Sequence, residues 1–176
     1  MAVVTEGTWV RMRAARRLED LYELHAPGAF RLAYLLTGDR QLAEDLVQEA
    51  FLRMFGRFRD LRNPDAFSGY LRTTVVNLAR SHFRRRKVER AYLERRRSQP
   101  EDHRTEGHGP EVGSRHEMWE ALQALPTRQR AALVLRYYED MTEAQVADVL
   151  RCAKGTVKSL TARGIERLRR EMAPHD

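Results

Sequence analysis

Five basic or hydroxyl side chains recur at helical spacing near the carboxyl end of the chain. They would share the exposed side of one helix, because residues three and four apart lie on the same face. Lysine and arginine bind phosphates and guanine edges, and hydroxyls bond to phosphates or to base edges. The five are Lys154, Thr156, Lys158, Ser159 and Arg163. This chemistry favours a helix that binds DNA, and a solvated basic face is the alternative.

A second polar group lies on a helical pattern in the first half of the chain and is rich in arginine. Most of its members are three or four residues apart and so lie on one side of the helix. An asparagine among arginines, with aromatic residues at the base of the helix, suits a surface that holds phosphates and unstacked bases. The group comprises Arg62, Arg72, Thr73, Asn77, Arg80 and Arg84. A salt-bridged exposed helix is the alternative, but the arginine run at 84–86 is too dense for full internal pairing.

Acidic residues mark the polar side of the most regular helical pattern, residues 40–58. Asp45 and Glu49 are four residues apart, where like charges repel mildly, and Gln48 lies beside them. Negative charge near the start of a helix also suits the helix dipole. The residues alone therefore favour an ordinary solvated face over a docking face for a basic partner.

Catalytic and metal-binding patterns are missing from the sequence. It contains no Gly-rich phosphate loop, no HExxH and no GxSxG motif. Neither His103 nor His108 has the spacing of a metal site, and the single cysteine, Cys152, permits no internal disulfide. We therefore expect no catalytic residue, metal or cofactor, and we expect Cys152 to be a small buried hydrophobe.

Charge and hydropathy narrow the class of protein. The 176 residues include 32 Lys or Arg and 25 Asp or Glu, and the net charge of +7 favours a polyanionic partner. No basic run adjoins a strongly apolar helix face, so nucleic acid is a better match than a membrane surface. No stretch approaches the ~20 apolar residues of a membrane span, and the amino terminus lacks the apolar segment of a secretion signal. We expect a cytoplasmic protein.

A helical hairpin would position the five residues near the carboxyl end. Thr142 and Gln145 have the spacing of a capping box, which predicts the start of a short helix. Residues 151–153 would form the turn, and a second helix would begin at about Lys154. Its inner side would carry Val157, Thr161, Ile165 and Leu168. A short helix, a small turn and a basic second helix form the pattern of a helix-turn-helix.

Three helical patterns would position the other two groups. The first, 18–36, is interrupted by Pro27, where we expect a kink or a break. Gly38 and Asp39 then predict a helix end and a new start, after which the acidic helix follows. The arginine-rich helix would begin with Asn63 as its N-cap, because a proline follows directly.

No segment has the alternation of a β-strand, so the predicted fold is all-α with two small helical domains joined by a flexible linker. Ser114 would open the second domain as a helix cap, and Thr127 would cap the helix after Pro126. The second domain would have four helices, including the helix-turn-helix. The predicted parts are a flexible basic extension at 1–17, a first domain at 18–97, the linker at 98–113 and a second domain at 114–172.

The segments AEDLVQEAF, VVNLAR and GTVKS follow one another along the chain. In this order they resemble the extracytoplasmic-function (ECF) sigma factors of bacterial RNA polymerase, and most of all the actinobacterial SigE-type group. The combination is far more specific than any one segment, and the resemblance covers about residues 19–172. It implies a protein that is not an enzyme, directs RNA polymerase to promoters and assists their melting.

The resemblance implies a role for each polar group. It places the acidic helix on the β′ clamp of core RNA polymerase and so reverses the preference for a solvated face. It places the arginine-rich helix, with the loop before it, on the −10 promoter element, and the second hairpin helix in the major groove of the −35 element. The implied contacts are Asp45, Gln48 and Glu49 for the polymerase, Arg62, Asn63, Arg72, Asn77, Arg80 and Arg84 for the −10 element, and Lys154, Thr156, Lys158, Ser159 and Arg163 for the −35 element.

The same resemblance implies the partners. They are core RNA polymerase, through its β′ clamp and β flap, and promoter DNA as duplex and as melted non-template strand. It implies no cofactor and no membrane contact, and it leaves open whether an anti-sigma factor binds. The first domain corresponds to sigma region 2 and the second to sigma region 4. A stand-alone helix-turn-helix regulator that uses only residues 114–172 is the rival function.

Three positions depart from the family pattern. Many relatives have arginine where this chain has Leu160, and glycine where it has Arg151. Some relatives have an aromatic residue where Leu61 stands. Base preferences therefore do not transfer, and Leu160 could either contact a thymine methyl group or pack against the protein.

Overall fold

The structure, a computed structural model, describes residues 6–58, 66–94 and 113–173. These ranges contain seven α-helices and one π-helical turn, and no strand lies within them, which confirms the predicted all-α class. The helices of the first domain are α1 (Glu6–Thr37), α2 (Arg40–Phe58) and α3 (Ala66–Glu94). Those of the second are α4 (Gly113–Ala124), α5 (Thr127–Leu133), the π-helical turn (Val134–Tyr138), α6 (Glu143–Leu150) and α7 (Lys154–Glu171).

The three helices of the first domain pack through aliphatic and aromatic side chains. Phe67, near the start of α3, is fully buried, and its ring centroid lies 6.0 Å from that of Phe51 on α2. Leu32 of α1 and Val75 of α3 are buried in the same cluster. Full burial of one such side chain contributes about 1.5–3 kcal/mol. These contacts therefore fix the angles at which α2 and α3 present their polar sides.

The turn between α1 and α2 has the predicted chemistry. Gly38 has a φ of +73°, a left-handed conformation that glycine adopts without a steric penalty. The Asp39 carboxylate accepts a hydrogen bond from the Leu42 amide at 3.0 Å. Asp39 therefore caps α2 as predicted, by satisfying one of its unpaired backbone amides.

The first helix is longer than the sequence predicts. It begins at Glu6, so residues 6–17 of the predicted basic extension are helical and continuous with the first domain. Of the kink or break predicted at Pro27, the break is wrong, because α1 continues through this residue. Pro27 is exposed, whereas Ala29 and Leu32 in the following turn are buried. Packing of that turn outweighs the backbone hydrogen bond that the proline removes.

The predicted helix-turn-helix is confirmed by its backbone. The Thr142 hydroxyl accepts from the Gln145 amide at 3.3 Å, and the Gln145 side chain accepts from the Thr142 amide at 2.8 Å. This capping box starts α6, as predicted. Arg151 then adopts the left-handed conformation with a φ of 50°, which ends the helix. The second helix begins at Lys154, at the predicted position.

Two other helices in the second domain begin earlier than predicted, α4 by two residues and α5 by one. Helix α4 begins at Gly113, so Ser114 lies within the helix and does not precede it. Pro126 occupies the N-cap position of α5, and Thr127 is the first helical residue. No side chain caps this helix. The fixed backbone of Pro126, with a φ of −54°, instead sets the direction of the chain as α5 begins.

The π-helical turn that directly follows α5 was not predicted. The Glu139 amide donates to the Val134 carbonyl oxygen at 3.0 Å, five residues back. An apolar run of this length fits an α-helix and a π-helix equally well, so the sequence carries no signal for the difference. Residues 98–112 of the predicted linker, and the predicted cap at Asn63, lie outside the described residues.

The two domains lie against each other. Helix α1 of the first domain contacts α4, α5 and the π-helical turn of the second, and α3 contacts α5 and α6. One cluster of buried apolar side chains runs through both domains. Part of the arginine-rich helix α3 therefore faces the second domain and not solvent.

Candidate nucleic-acid interface

The outer side of α7 carries the five residues predicted to contact the −35 element. Lys154, Lys158 and Arg163 are exposed. Thr156 and Ser159 are half-buried, and the Ser159 hydroxyl donates to the Thr156 carbonyl oxygen at 2.9 Å. The helix thus presents three cationic groups to solvent with smaller polar groups between them. Such a side can bind the phosphates and base edges of duplex DNA.

Buried residues on the opposite side of α7 hold the helix in place. Val157 is fully buried, and the Thr161 hydroxyl donates to the Val157 carbonyl oxygen at 3.0 Å. The backbone at Gly164 comes so close to α5 that a Cβ there would lie 2.9 Å from Leu133 Cδ1. Leu160 is half-buried against the apolar cluster, so of its two predicted roles the structure favours packing. The orientation of the basic side is therefore fixed by the core of the second domain.

Helix α3 brings together the described members of the arginine-rich group. Its half-buried members are Arg72, Thr73, Asn77 and Arg80, and Arg84 is exposed. The Thr73 hydroxyl donates to the Gly69 carbonyl oxygen at 2.9 Å, within the same helix. Arg62 and Asn63 lie outside the described residues. The helix thus aligns one amide and several guanidinium groups, the chemistry needed to hold a single strand.

The acidic residues of α2 are exposed, as the sequence predicts. Asp45, Gln48 and Glu49 all lie on the solvent side of the helix. Glu49 pairs with Arg53 at 2.6 Å, and the Gln41 amide donates to Asp45 at 3.4 Å. Exposed ion pairs contribute only about 0–1 kcal/mol, so these contacts are weak enough for a partner to replace.

Features of other protein classes are not found in the part of the chain that the structure describes. No group of three His, Cys, Asp or Glu side chains there could hold a metal ion. No described helix is both long enough and apolar enough to cross a bilayer. Cys152 is half-buried and not buried as expected, because it lies in the turn before α7 and packs against the core on one side only.

Comparison with known proteins identifies the family. Residues 21–89 match the family model of Sigma-70 region 2, and residues 115–168 match that of Sigma-70, region 4. The chain is 32% identical to the RNA polymerase sigma-E factor of Streptomyces coelicolor, over 90% of this chain and 87% of that protein. The chain belongs to the sigma-70 family of RNA polymerase sigma factors. Its function is to direct RNA polymerase to promoters, and its first and second domains contain sigma regions 2 and 4.

This sigma factor is also similar to more distant proteins. It is 25% identical to the ECF RNA polymerase sigma factor SigW of Bacillus subtilis, over 87% of each chain. A solved structure of the sigma factor RpoE from Bartonella quintana matches with a TM-score of 0.69 at 21% identity, over 89% of this chain and 97% of that one. The structure of CnrH matches with a TM-score of 0.58 at 22% identity, over 89% of this chain and 90% of that one. At these identities the two solved structures show the shared fold alone.

In this sigma factor, region 4 lies over part of the arginine-rich side of region 2. Arg72 Nε lies 2.5 Å from a carboxylate oxygen of Glu139. The Arg80 guanidinium donates to the Val149 carbonyl oxygen at 3.4 Å. Burial is the largest cause that lowers the pKa of Arg80 below its ordinary value, and the positive charge of Arg128 lowers it further. The sequence does not predict these contacts, because each joins residues of different domains.

A buried arginine at the contact between the domains was also missed. Arg130 is only 6% exposed, and burial lowers its pKa to about 10, so it remains charged at neutral pH. Its guanidinium donates to the backbone and side-chain oxygens of Gln123 and lies 5.6 Å from the ring centroid of Phe83. Arg130 follows three polar residues at the start of α5. The sequence therefore predicts that its side chain is exposed.

Proposed function

We propose that this sigma factor recognises its promoters with two DNA surfaces and holds the polymerase with a third. The observation that carries the proposal is the exposed basic side of α7, which is opposite the buried Val157 and Thr161. Lysine and arginine in a major groove contact phosphates and guanine edges. Region 4 would bind the −35 element in this way. The proposed contacts are Lys154, Thr156, Lys158, Ser159 and Arg163.

Region 2 would hold the −10 element as its non-template strand opens. Moving a base out of the stack costs a few kcal/mol. The Asn77 amide can donate and accept hydrogen bonds with an unstacked base, and the arginines of α3 can neutralise the adjoining phosphates. The proposed contacts are Arg62, Asn63, Arg72, Asn77, Arg80 and Arg84. Binding energy would drive the opening, so the proposal requires no catalytic residue in this chain and leaves the phosphodiester chemistry to the polymerase.

The exposed acidic side of α2 is the proposed contact with core RNA polymerase. On a chain with a net charge of +7, Asp45, Gln48 and Glu49 form a local acidic and polar surface that suits a basic partner. We propose the β′ clamp as that partner, and the β flap as the partner of region 4. Both the polymerase and the promoters are in the cytoplasm, so the protein would act there.

An anti-sigma factor is a further proposed partner. The solved structure of RpoE contains the anti-sigma factor NepR, and that of CnrH contains the cytosolic domain of CnrY. The support for such a partner here is the fold shared with these two proteins. A protein that covers the exposed acidic side of α2 would prevent polymerase binding, which is the regulatory effect that we propose.

Run-off transcription with purified core polymerase and genomic DNA tests the proposed function. Promoter-specific transcripts should appear only when this protein is added. The double variant Lys158→Ala/Arg163→Ala should reduce them at least about tenfold, since each lost DNA contact costs about 1–3 kcal/mol. Arg169→Ala/Arg170→Ala is the matched control, because it also removes two exposed positive charges from α7, in its last turn. DNA binding without any polymerase-dependent transcript would instead favour a stand-alone regulator.

A further inference from the structure

The turn between α6 and α7 is closed by two backbone hydrogen bonds that require a left-handed residue at position 151. The Cys152 amide donates to the Ala147 carbonyl oxygen at 3.0 Å. The Arg151 amide donates to the Asp148 carbonyl oxygen at 3.3 Å. Together these bonds form a Schellman motif, in which the left-handed residue is usually glycine. Arg151 takes this place with a φ of 50° and a ψ of 60°, so the backbone carries a strain that glycine would not have.

Contacts within the protein do not explain why this residue is an arginine. The Arg151 side chain is exposed, and no carboxylate of the described residues lies within ion-pair distance of it. Its positive charge suits the carboxyl end of α6, but this effect is small at an exposed position, and the strain of a left-handed residue other than glycine is larger. Strain that persists without a compensating contact points to a functional residue.

The strained turn lies next to the DNA surface proposed for α7. Arg151 precedes Lys154, the first residue of α7, by only three residues, and Lys154 is exposed as well. In a helix-turn-helix the start of the second helix contacts base edges, while the first helix crosses the DNA backbone. A side chain on the turn between them therefore lies beside a backbone phosphate. A guanidinium group can bind a phosphate through two parallel hydrogen bonds.

We propose that Arg151 binds a backbone phosphate beside the −35 element and so adds affinity for promoters without reading a base. This inference rests on the proposed function, because it requires α7 to lie in the major groove of the −35 element. Phosphate contacts fix the position of a protein on the duplex but carry no sequence information directly. The left-handed arginine thus lowers the stability of the turn and raises the affinity for DNA.

Two substitutions separate the strain from the charge. Arg151→Gln removes the charge and keeps the strained backbone, whereas Arg151→Gly removes both. The Tm of Arg151→Gly should therefore be about 2–4 °C higher than that of Arg151→Gln. A higher or lower affinity for DNA is not expected from the difference in strain, so the two variants should bind DNA equally.

Binding to a duplex promoter fragment measures the phosphate contact. The full chain is assembled with core polymerase, the fragment carries a promoter mapped by run-off transcription, and low temperature keeps the complex closed. Both variants should bind about three- to tenfold more weakly than the wild type at about 0.1 M salt. The slope of log K against log salt concentration should decrease in magnitude by about one, because one phosphate contact is lost.

Charge and position are controlled separately. Arg151→Lys keeps the charge and should retain most of the affinity and the salt slope. Arg169→Ala removes an exposed positive charge from the last turn of α7 and should bind like the wild type. Methylphosphonate substitution neutralises one DNA phosphate at a time. At one position beside the −35 element it should weaken binding by the wild type but not by Arg151→Gln or Arg151→Gly.

Wild-type affinity and an unchanged salt slope in Arg151→Gln would overturn the proposal. An equal loss in Arg169→Ala would also overturn it, because the effect would then be one of general charge. Equal Tm values for Arg151→Gly and Arg151→Gln would contradict the strained turn on which the proposal is based. In each of these cases wild-type run-off transcription with core polymerase would persist. Failure of the proposed function itself would be distinct, because even the wild type would then give no polymerase-dependent transcript.

Discussion

At the scale of single residues, the surroundings of an arginine decide what it can do. Arg163 is exposed on α7 and can reach a phosphate, whereas Arg72 is paired with Glu139. Arg130 is buried, and its pKa is lowered to about 10 by the loss of water. Residue type therefore indicates the polar groups, but packing decides which of them are accessible.

Asn77→Ala should weaken promoter opening more than binding to closed duplex DNA. The variant loses hydrogen bonds to an unstacked base, and an unsatisfied partner costs about 1–3 kcal/mol, which is about tenfold or more in the open complex. Permanganate reactivity of −10 thymines measures opening, and gel-shift binding at low temperature measures the closed complex. Thr74→Ala is the control, because the Thr74 hydroxyl is bonded within α3 to the Tyr70 carbonyl oxygen. Equal losses in both assays would count against a role for Asn77 in holding a flipped base.

The stability of region 2 should fall as the pH is lowered through about 6.5, because of His82. Burial is the largest cause that lowers the pKa of His82, and the charge of Arg86 adds to it, although Asp39 opposes both. The folded protein therefore holds His82 neutral to a lower pH than the unfolded chain, which takes up a proton near its ordinary pKa of about 6.5. Because the unfolded chain binds this proton more readily than the folded protein does, acidification favours unfolding. The free energy of unfolding is therefore highest above about pH 6.5 and decreases below it.

Thermal unfolding at pH 7.5 and pH 5.5 measures this dependence. His82→Gln should show a smaller loss of Tm on acidification than the wild type. His116→Gln, at an exposed position on α4, is the matched control and should behave like the wild type. An equal loss of Tm in His82→Gln and the wild type would exclude His82 as the cause.

At the scale of helices, the turn between α1 and α2 depends on a glycine. Gly38→Ala should lower the free energy of unfolding by about 1–2 kcal/mol, because alanine at a φ of +73° is strained. Its new Cβ would also lie 2.5 Å from the Gln123 side-chain oxygen. Gly69→Ala is the matched control, since a Cβ there meets nothing within 4 Å and should stabilise α3 by up to about 1 kcal/mol. Chemical denaturation measures both, and stabilisation by Gly38→Ala would contradict the assigned turn.

Local sequence signals were sufficient to predict where a helix starts when a side chain at that start caps it. Asp39 starts α2, and Thr142 with Gln145 starts α6, so these starts could be predicted from spacing alone. The continuation of α1 through Pro27 could not, because it depends on residues of other helices that bury the following turn. Periodicity likewise placed the polar residues of α7 on one side. The pairing of Arg72 with Glu139 was beyond the sequence, since it depends on how two domains meet.

At the scale of the whole molecule, three polar surfaces lie on three different helices. The acidic side of α2 and the basic side of α7 are both exposed, while part of α3 is covered by region 4. Under the proposed function, the surfaces for polymerase and for the −35 element would both be accessible in this arrangement.

Promoter opening by purified components tests the central claim most directly. Permanganate footprinting on a promoter mapped by run-off transcription compares core polymerase alone, this protein alone, and the two together. We expect the thymines of the −10 element to become reactive only when both are present. Protection of the −35 element by this protein alone, with no reactive thymine in any mixture, would contradict the account.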